Sequence, residues 1–373
     1  MKFIAMPARN LRSHRVRSVL TSLGIAIALA GMLALVGLSR GLERSWVTSL
    51  EGKGTHIVAL QKGSIELLTA TLDERLAVRI RQVPGVAAVM AGLGDLVGLE
   101  SGEMAYLEGW PIDSDFWTTL KVREGRTPNL ASQQEVVLGE TLARLTGKRV
   151  GDFIHLSGSD YRVVGISKQA SVLDDRSVMM PMPVMQQLLG LEGKVSGFHI
   201  RLRHPEAADE VARVKARLAA AFPELVFYET GEFGKNTEVT QMLRAIAWAS
   251  STIALGMAFV AVLNTLLMSV MERTREIGLL CAIGWHPSRV MAMVILDGLV
   301  LSAVGAAVGT VLGLLCLRGI MAHPTFGGLL QPEVTPRLLA EGAAMALSLG
   351  LLGGLYPAWR ATRLSPMALL RSE

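Results

Sequence analysis

Charged residues are scarce in this sequence. They account for 18% of its 373 residues, whereas a soluble globular protein usually carries about 25%. Aromatic residues make up only 5%, while half of the residues are hydrophobic and the mean hydropathy is +0.40. Glycine, at 38 residues, is plentiful, as expected where helices pack closely in lipid. The low charge therefore argues against an ordinary soluble protein and favours a membrane protein.

Cysteine and nucleotide-binding signatures are also rare or missing. The only cysteines are Cys281 and Cys316, so residues 40–244 must fold without disulfides, as a domain of about 200 residues can. The sequence contains no Gly-x-x-x-x-Gly-Lys-Ser/Thr phosphate loop, so any nucleotide hydrolysis must come from another subunit. No catalytic constellation emerges either. We expect that this chain is not an enzyme and binds no metal or cofactor of its own.

Four apolar runs are long enough to cross a bilayer, which takes roughly 20 apolar residues. They cover residues 18–39, 245–271, 290–317 and 342–359. The first run could be a signal peptide, but the apolar part of a signal peptide is normally about 7–15 residues long. No small-residue cleavage site precedes a polar start here, so we interpret the run as a retained anchor.

Basic residues predict the orientation, because short cytoplasmic flanks are enriched in Lys and Arg. The lead-in (1–17), the loop 272–289 and the tail (360–373) are basic, whereas the loop 318–341 has no Lys or Arg between Arg318 and Arg337. We expect a multi-pass protein of the bacterial inner membrane with both termini in the cytoplasm. Residues 40–244 would then form an extracytoplasmic domain. Because that domain is nearly neutral, the basic pI reflects topology and predicts no nucleic-acid partner.

The extracytoplasmic domain has the pattern of an α+β fold. Two strand–helix–strand units are predicted, one at 55–63, 72–82 and 85–91 and the other at 197–205, 207–222 and 224–229. We expect them to pack as one subdomain, formed by residues 40–110 and 196–244. Residues 111–195 predict a β-rich insertion, with a hairpin turn at residues 158–160. The fold class is thus an α-helical membrane protein with four transmembrane helices and an α+β extracytoplasmic domain that contains a β-rich inserted subdomain.

Three groups of residues in this domain could carry chemistry, and each has a simpler interpretation. His199 and His204 could ligate a metal, but histidines at a surface or sheet edge are the better interpretation. Residues 174–176, Asp-Asp-Arg, could bind a ligand, although an acidic turn is simpler. Trp110 and Trp117 could form an aromatic platform, but we favour a place in the core.

Polar and small residues within the third run are further candidates. Asp297 lies about eight residues into the run, where a carboxylate is costly unless it is paired, protonated or near water. It could be a proton or substrate site, but a polar partner near the cytoplasmic interface is the interpretation we favour. Gly305, Gly309 and Gly313 recur every four residues, so they share one helix face and predict close helix packing.

The stretch MERTREIGLLCAIG, residues 271–284, interrupts the apolar runs with charge. Glu272, Arg275 and Glu276 have helical spacing, so their opposite charges can support one another. Apolar residues from Ile277 onward supply a second side, and Gly284 marks the end of the helix. We predict a short amphipathic helix on the cytoplasmic face that offers charge to a soluble partner. A solvated basic loop is the simpler alternative and accounts less well for this pattern.

These residues also carry a family resemblance. Residues 272–284 match the pattern Glu-x-x-x-Glu-Ile-Gly-x-x-x-Ala-x-Gly, which resembles the segment after the second span in MacB/FtsX-type permeases of ABC transporters. The first span with its basic lead-in, and the segment from Val136 to Ile166, are similar to the same family. The end of the chain also resembles the family signature, although Arg371 is displaced by one residue.

The resemblance implies a four-span permease that works by mechanotransmission (type VII). It implies a separate cytoplasmic ABC ATPase, acting as a dimer with ATP and Mg, and a second permease that is the same or homologous. A periplasmic adaptor or outer-membrane component and membrane lipid are further implied partners. Residues 40–52 and 238–250 would extend the spans as a stalk. The implied ATPase contacts are Glu272, Arg273, Arg275, Glu276, Ile277 and Gly278.

Two functions are therefore expected, and they belong to different classes. The first is an export permease that moves a lipophilic compound, a peptide or a lipoprotein. The alternative is an FtsX-like signal transducer that controls an extracytoplasmic cell-wall hydrolase. The large outer domain with its insertion favours export. A membrane-anchored enzyme has no catalytic cluster to support it.

Overall fold

The computed structural model describes residues 15–63, 72–100, 102–129, 134–236, 238–322 and 331–363. Most of the predicted lead-in (1–14), part of the outer loop (323–330) and the tail from residue 364, including Arg371, lie outside the described residues. The helices of the described chain are α1 (Arg15–Gly52), α2 (Leu76–Arg81), α3 (Phe116–Thr119), α4 (Glu140–Thr146), α5 (Met182–Leu189), α6 (Ala208–Ala221), α7 (Thr230–Asn236), α8 (Glu238–Glu272), α9 (Thr274–Ala282), α10 (Pro287–Ala322) and α11 (Pro336–Thr362).

The strands belong to the stretch between α1 and α7. They are β1 (Ile57–Gln61), β2 (Leu72–Asp73), β3 (Val86–Gly98), β4 (Met104–Trp110), β5 (Val122–Gly125), β6 (Glu135–Gly139), β7 (Phe153–Leu156), β8 (Ser159–Ser167), β9 (Ser177–Pro181), β10 (Lys194–Val195), β11 (Gly197–Leu202) and β12 (Leu225–Glu229). A 3₁₀ turn, Asp174–Arg176, precedes β9.

The described chain forms two compact units. The membrane unit contains the residues up to Gly37, Arg244–Gly319 and the residues from Glu333 onward. The outer unit contains Leu38–Leu243 and Ile320–Pro332. Within the described residues, four helices are long and apolar enough to cross a membrane, namely α1, α8, α10 and α11. Helices α1 and α8 also include the predicted stalk segments 40–52 and 238–250.

The outer unit is built on one sheet in the order β12-β1-β11-β3-β4-β9-β6-β8-β5, with β7 paired to β8. The two predicted strand–helix–strand units, β1-α2-β3 and β11-α6-β12, are confirmed as elements. Strand β1 lies antiparallel between β11 and β12. Apolar residues of the two helices, including Ile80, Val214 and Leu218, are buried in the same core as these strands. The burial of this face explains the one-sided apolar pattern of both helices.

Strand β3 connects the two halves of the sheet. Residues Val86 to Gly92 pair with β11, whereas Leu93 to Gly98 pair with β4. The strands of the predicted insertion therefore continue the same sheet. The sequence pattern ended this strand at residue 91 because glycines at positions 92, 94 and 98 interrupt its apolar run.

The hairpin between β7 and β8 turns one residue earlier than predicted. Its two loop residues are Ser157 and Gly158, with φ of 45° and 89°. Two positive φ values are typical of the tight turns that match the twist of a two-stranded ribbon. Glycine adopts this conformation without strain, which explains its second position in the turn.

In the membrane unit, the glycine face of α10 contacts α1. An added Cβ would lie 2.8 Å from Ile25 Cβ at Gly305, 2.7 Å from the Ala26 carbonyl oxygen at Gly309, and 3.3 Å from Ala30 Cα at Gly313. These separations leave little or no room for a side chain. The two helices can approach this closely because glycine lacks one.

Candidate functional site

The predicted amphipathic helix is α9, which follows α8 after a break at Arg273. The φ and ψ of Arg273 are −104° and 15°, so the long helix ends and a new one begins at Thr274. The Thr274 hydroxyl donates hydrogen bonds to the carbonyls of Val270 and Met271 at the end of α8. Gly284, with a φ of 95°, ends the segment. The charged stretch is thus a separate helix between two spans.

Glu272, the last residue of α8, is held by α1. The Arg17 guanidinium donates two hydrogen bonds to its carboxylate, at 3.0 and 2.8 Å. Such a paired arrangement is the strongest geometry for an arginine and a carboxylate. The Arg17 and Glu272 side chains are 33% and 26% exposed. A buried hydrogen bond of 2.6 Å between Thr21 and Thr265 joins the same two helices further along their length.

Arg273 connects α9 to α10. Its guanidinium lies 3.8 Å from the carboxylate of Asp297, and it also donates to Glu276 at 3.0 Å. Asp297 is only 7% exposed. The charge of this carboxylate is therefore matched by a cation at the start of α9, which lowers the cost of placing it inside an apolar helix.

Helix α9 has two faces of different character. Ile277 and Gly278 are buried, and Ile277 packs with Val270, Val290 and Met293 of the neighbouring helices. The opposite face is exposed and consists of Arg275, Glu276, Leu279, Ala282 and Ile283. Leu279 and Ile283 are 61% and 71% exposed. Of the six predicted contact residues, Arg275 and Glu276 lie on this face, whereas Ile277 and Gly278 support the helix from behind.

The residues singled out in the outer unit are mostly interior. Trp110 and Trp117 are buried, as favoured from the sequence, and Trp110 stacks on Phe116 with 4.7 Å between ring centroids. His199 lies on β11 between β1 and β3, so its placement at a surface or edge was wrong. Only His204 is exposed. The sequence pattern missed this because the strand order makes β11 an internal strand.

The acidic turn predicted at residues 174–176 is confirmed as a 3₁₀ turn, and two of its side chains are buried. Asp174 is 4% exposed and Arg176 is fully buried. The Arg176 Nε donates to the carbonyl oxygen of Met104 at 3.1 Å. Asp174 accepts hydrogen bonds from Ser49 at 2.7 Å and from Lys53 at 2.9 Å.

Asp174 belongs to a buried charge cluster formed by Lys53, Asp174 and Glu108, which the sequence did not reveal. The Lys53 ammonium lies 2.9 Å from Asp174 and 3.3 Å from Glu108. It also lies 5.2 Å from the ring centre of Trp110, whose indole N–H donates to Glu108. The signal that could have revealed it is a glutamate inside the apolar strand MAYLEGW.

Burial and charge shift the titration of this cluster. Burial opposes the charged form of Lys53, but the Asp174 and Glu108 carboxylates outweigh it and raise the pKa of the lysine. Burial raises the pKa of Glu108 to about 8, with Lys53 opposing the shift and Asp174 adding to it. Burial and the nearby Lys53 charge lower the pKa of His199 to about 3. At neutral pH Glu108 is thus largely protonated, while Lys53 keeps its positive charge.

Among the described residues, no group of three or more His, Cys, Asp or Glu side chains is arranged to hold a metal ion. His199 instead interacts with Thr55, at 3.2 Å between Nδ1 and Oγ1, and with the Trp110 ring.

Two family models match the sequence. Residues 18–217 match the MacB-like periplasmic core domain, and residues 248–366 match the FtsX-like permease C-terminal domain. The chain is 26% identical to an uncharacterised ABC transporter permease of Methanocaldococcus jannaschii, over 99% of this chain and 98% of that protein. It is 27% identical to the macrolide export ATP-binding/permease protein MacB of Hyphomonas neptunium, and 23% identical to that of Escherichia coli. In both cases 99% of this chain aligns with 60% of the relative, so it spans less than two thirds of their length.

Two solved structures align with part of this chain at TM-scores below 0.5. The periplasmic region of MacB from Actinobacillus actinomycetemcomitans aligns with a TM-score of 0.38 and 12% identity, covering 51% of this chain and 95% of that domain. The extracellular domain of YknZ from Gram-positive bacteria aligns with a TM-score of 0.36 and 18% identity, covering 47% of this chain and all of that domain.

Proposed function

This chain belongs to the MacB/FtsX-type permeases of ABC transporters, and from that premise we propose that it is the membrane subunit of an ATP-driven export system. It is a membrane protein with an extracytoplasmic domain. A separate cytoplasmic ATPase dimer would bind ATP and Mg, and a second permease would complete the pair. Both termini and helix α9 would face the cytoplasm. The cargo would be a lipophilic compound, a peptide or a lipoprotein.

The exposed face of α9 is the observation that supports this proposal best. Leu279 and Ile283 present apolar surface beside the charges of Arg275 and Glu276. An apolar anchor with charged neighbours is suited to a protein partner, because burial gives affinity and charge gives orientation. We therefore place the ATPase contact on this outer face. Glu272 and Arg273 would hold the helix in place, and Ile277 and Gly278 would form its buried support.

Motion would pass from α9 through these ion pairs to the spans. Glu272 is joined to Arg17 of α1, and Arg273 to Asp297 of α10. A displacement of α9 would therefore act on two spans through two adjacent residues of opposite charge. Helices α1 and α8 include the predicted stalk segments, which would carry that movement outward.

A pull-down of the co-expressed ATPase tests the proposed contact. Leu279→Glu together with Ile283→Glu should lower ATPase recovery at least about tenfold, because two apolar contacts would be replaced by charge. Phe153→Glu, at an apolar residue that is 54% exposed in the outer unit, is the matched control and should leave recovery unchanged. Full recovery with the α9 variant would contradict the proposed contact.

The FtsX-like transducer is the second candidate, because residues 248–366 match a model named for that permease. It would use the same α9 contact but transport nothing. An assay of ATP-dependent release of a lipophilic dye or a lipoprotein, run beside an assay of cell-wall hydrolysis, separates the two functions. If the chain is an exporter, the variant that combines Leu279→Glu with Ile283→Glu should no longer release the dye or the lipoprotein. Cell-wall hydrolysis should be unchanged in this variant.

A further inference from the structure

The buried charge cluster lies where three elements of the outer unit meet. Lys53 follows the last residue of α1, Glu108 lies on β4, and Asp174 lies in the 3₁₀ turn before β9. Their side chains are 9%, 2% and 6% exposed. Because the distances are 2.9 and 3.3 Å, the lysine bridges two carboxyl groups, one on β4 and the other in the turn before β9.

The end of α1 has further ties within the outer unit. The Ser49 hydroxyl donates to Asp174, and the Ser171 hydroxyl donates to the carbonyl of Ser45. Arg201 of β11 also donates to the Lys53 carbonyl at 3.0 Å. Leu50 packs with Val58, Leu60 and Phe233, and the Trp46 ring lies about 6 Å from the rings of Tyr106 and Phe233. Two of the donors at this helix end, the Ser49 hydroxyl and the Lys53 ammonium, thus converge on one carboxylate, that of Asp174.

We propose that Lys53, Asp174 and Glu108 form a proton-responsive latch, which fixes the end of α1 to the β-rich part of the outer unit (β4–β9) and loosens when Glu108 ionises. This inference goes beyond the proposed coupling to an ATPase and does not depend on it. With Glu108 neutral, one ammonium faces one carboxylate. With Glu108 ionised, a second buried carboxylate competes for the same ammonium and repels Asp174.

The surroundings single out Glu108 as the group that titrates near neutral pH. It faces Lys53 just after α1, Asp174 from the turn, Trp110 and Tyr106 from its own strand, and His199 from β11. From β3 the cavity is lined by Gly92, Leu93 and Gly94, and the residue opposite Glu108 on β9 is Met179. Burial, opposed by Lys53, raises the pKa of Glu108 to about 8, whereas His199 stays neutral because its pKa is lowered to about 3.

A small cavity gives this group access to protons. It has a volume of about 50 Å³ and is lined by Lys53, Glu108, Trp46 and His199, among others. One water needs roughly 10–15 Å³ of such volume, so a few waters can enter and exchange protons with Glu108. The folded pKa of Glu108 is raised, so its contribution to closure is fully present below about pH 4.5 and is lost as the pH rises through about 8.

Hydrogen–deuterium exchange of the full-length chain in lipid nanodiscs tests the latch. Exchange would be measured at pH 6.5 and pH 9 and divided by the intrinsic rate at each pH. Peptides that cover residues 45–54 and 170–177 should lose protection about tenfold or more at the higher pH, because closure is linked to protonation of Glu108. Glu108→Gln mimics the protonated form and should keep its protection at both pH values.

Glu135→Gln is the matched control, because Glu135 pairs with Arg126 in the same unit but outside the cluster. It should show the same response to pH as the wild type. The proposal is overturned if the wild type shows no such response or if Glu108→Gln retains it. Infrared absorption of the wild type tests the same point without a variant. The band of a protonated carboxyl group should fade between pH 7 and 9, and an unchanged band would overturn the latch.

Discussion

A charge cluster of the outer unit and an ion pair of the membrane unit lie in different environments. In the outer unit, Lys53, Asp174 and Glu108 lie inside the fold, none of them more than 9% exposed. In the membrane unit, Arg17 and Glu272 meet at the ends of their helices and remain 33% and 26% exposed. A charge inside a fold depends on its partner, whereas a partly exposed charge can be solvated when its partner is lost. The same type of ion pair should therefore have very different effects on stability in the two places.

The largest effect is expected for Asp174→Asn. This change leaves the Lys53 ammonium buried with one neutral amide in place of its main counter-ion, and breaking a buried ion pair costs about 3–5 kcal/mol. The free energy of unfolding of the outer unit, followed by tryptophan fluorescence of the full-length chain in denaturant, would measure the loss.

The double variant Lys53→Met with Asp174→Leu is the control for this prediction. It removes both charges and fills their space with apolar atoms, so most of the lost stability should return. A loss below about 1 kcal/mol for Asp174→Asn would mean that the cluster is solvated like a surface pair.

Whether the sequence could predict each of these features depends on how far apart along the chain the interacting residues lie. The amphipathic α9 was predictable because residues three and four apart share one face of a helix, whereas the break at Arg273 was not predicted. The four spans were predictable from length and apolar composition. The Arg17–Glu272 pair joins residues 255 positions apart, so no local pattern could identify it.

The outer unit shows the same limit more strongly. The strand–helix–strand units follow from local periodicity, but the internal position of His199 follows from the strand order, and the burial of Asp174 follows from its contacts with the end of α1. Strand β11 becomes internal only because β1 and β3 pair on either side of it. Likewise, Glu108 meets Lys53 only after β4, the 3₁₀ turn and the end of α1 have come together, and this long-range packing leaves no periodic signal.

The glycine contact between α10 and α1 is expected to rank second. Gly309→Leu places a side chain where a Cβ alone would lie 2.7 Å from the Ala26 carbonyl oxygen, and forced repacking of this kind costs about 1–3 kcal/mol. Unfolding of the membrane unit in mixed detergent micelles, followed by circular dichroism, would measure it.

Gly319→Leu, on the same helix, is its matched control. An added Cβ at that position meets nothing within 4 Å, so this variant should unfold like the wild type. Equal losses for the two variants would show that leucine is harmful anywhere on α10, and the specific contact with α1 would then be contradicted.

The smallest effect on stability is expected for the Arg17–Glu272 pair. Glu272→Arg should cost only about 0.5–1 kcal/mol, because both side chains are partly exposed. Its effect on the proposed coupling should be larger, since ATP turnover stimulated by the permease would fall while ATPase recovery stays constant.

The swap Arg17→Glu with Glu272→Arg restores the pair and should restore ATP turnover. A matching swap of Arg337 and Glu341, an exposed pair on α11, should change neither quantity. If Glu272→Arg abolishes recovery and the swap does not restore it, then Glu272 contacts the ATPase directly, and the ion pair with α1 is not its main role.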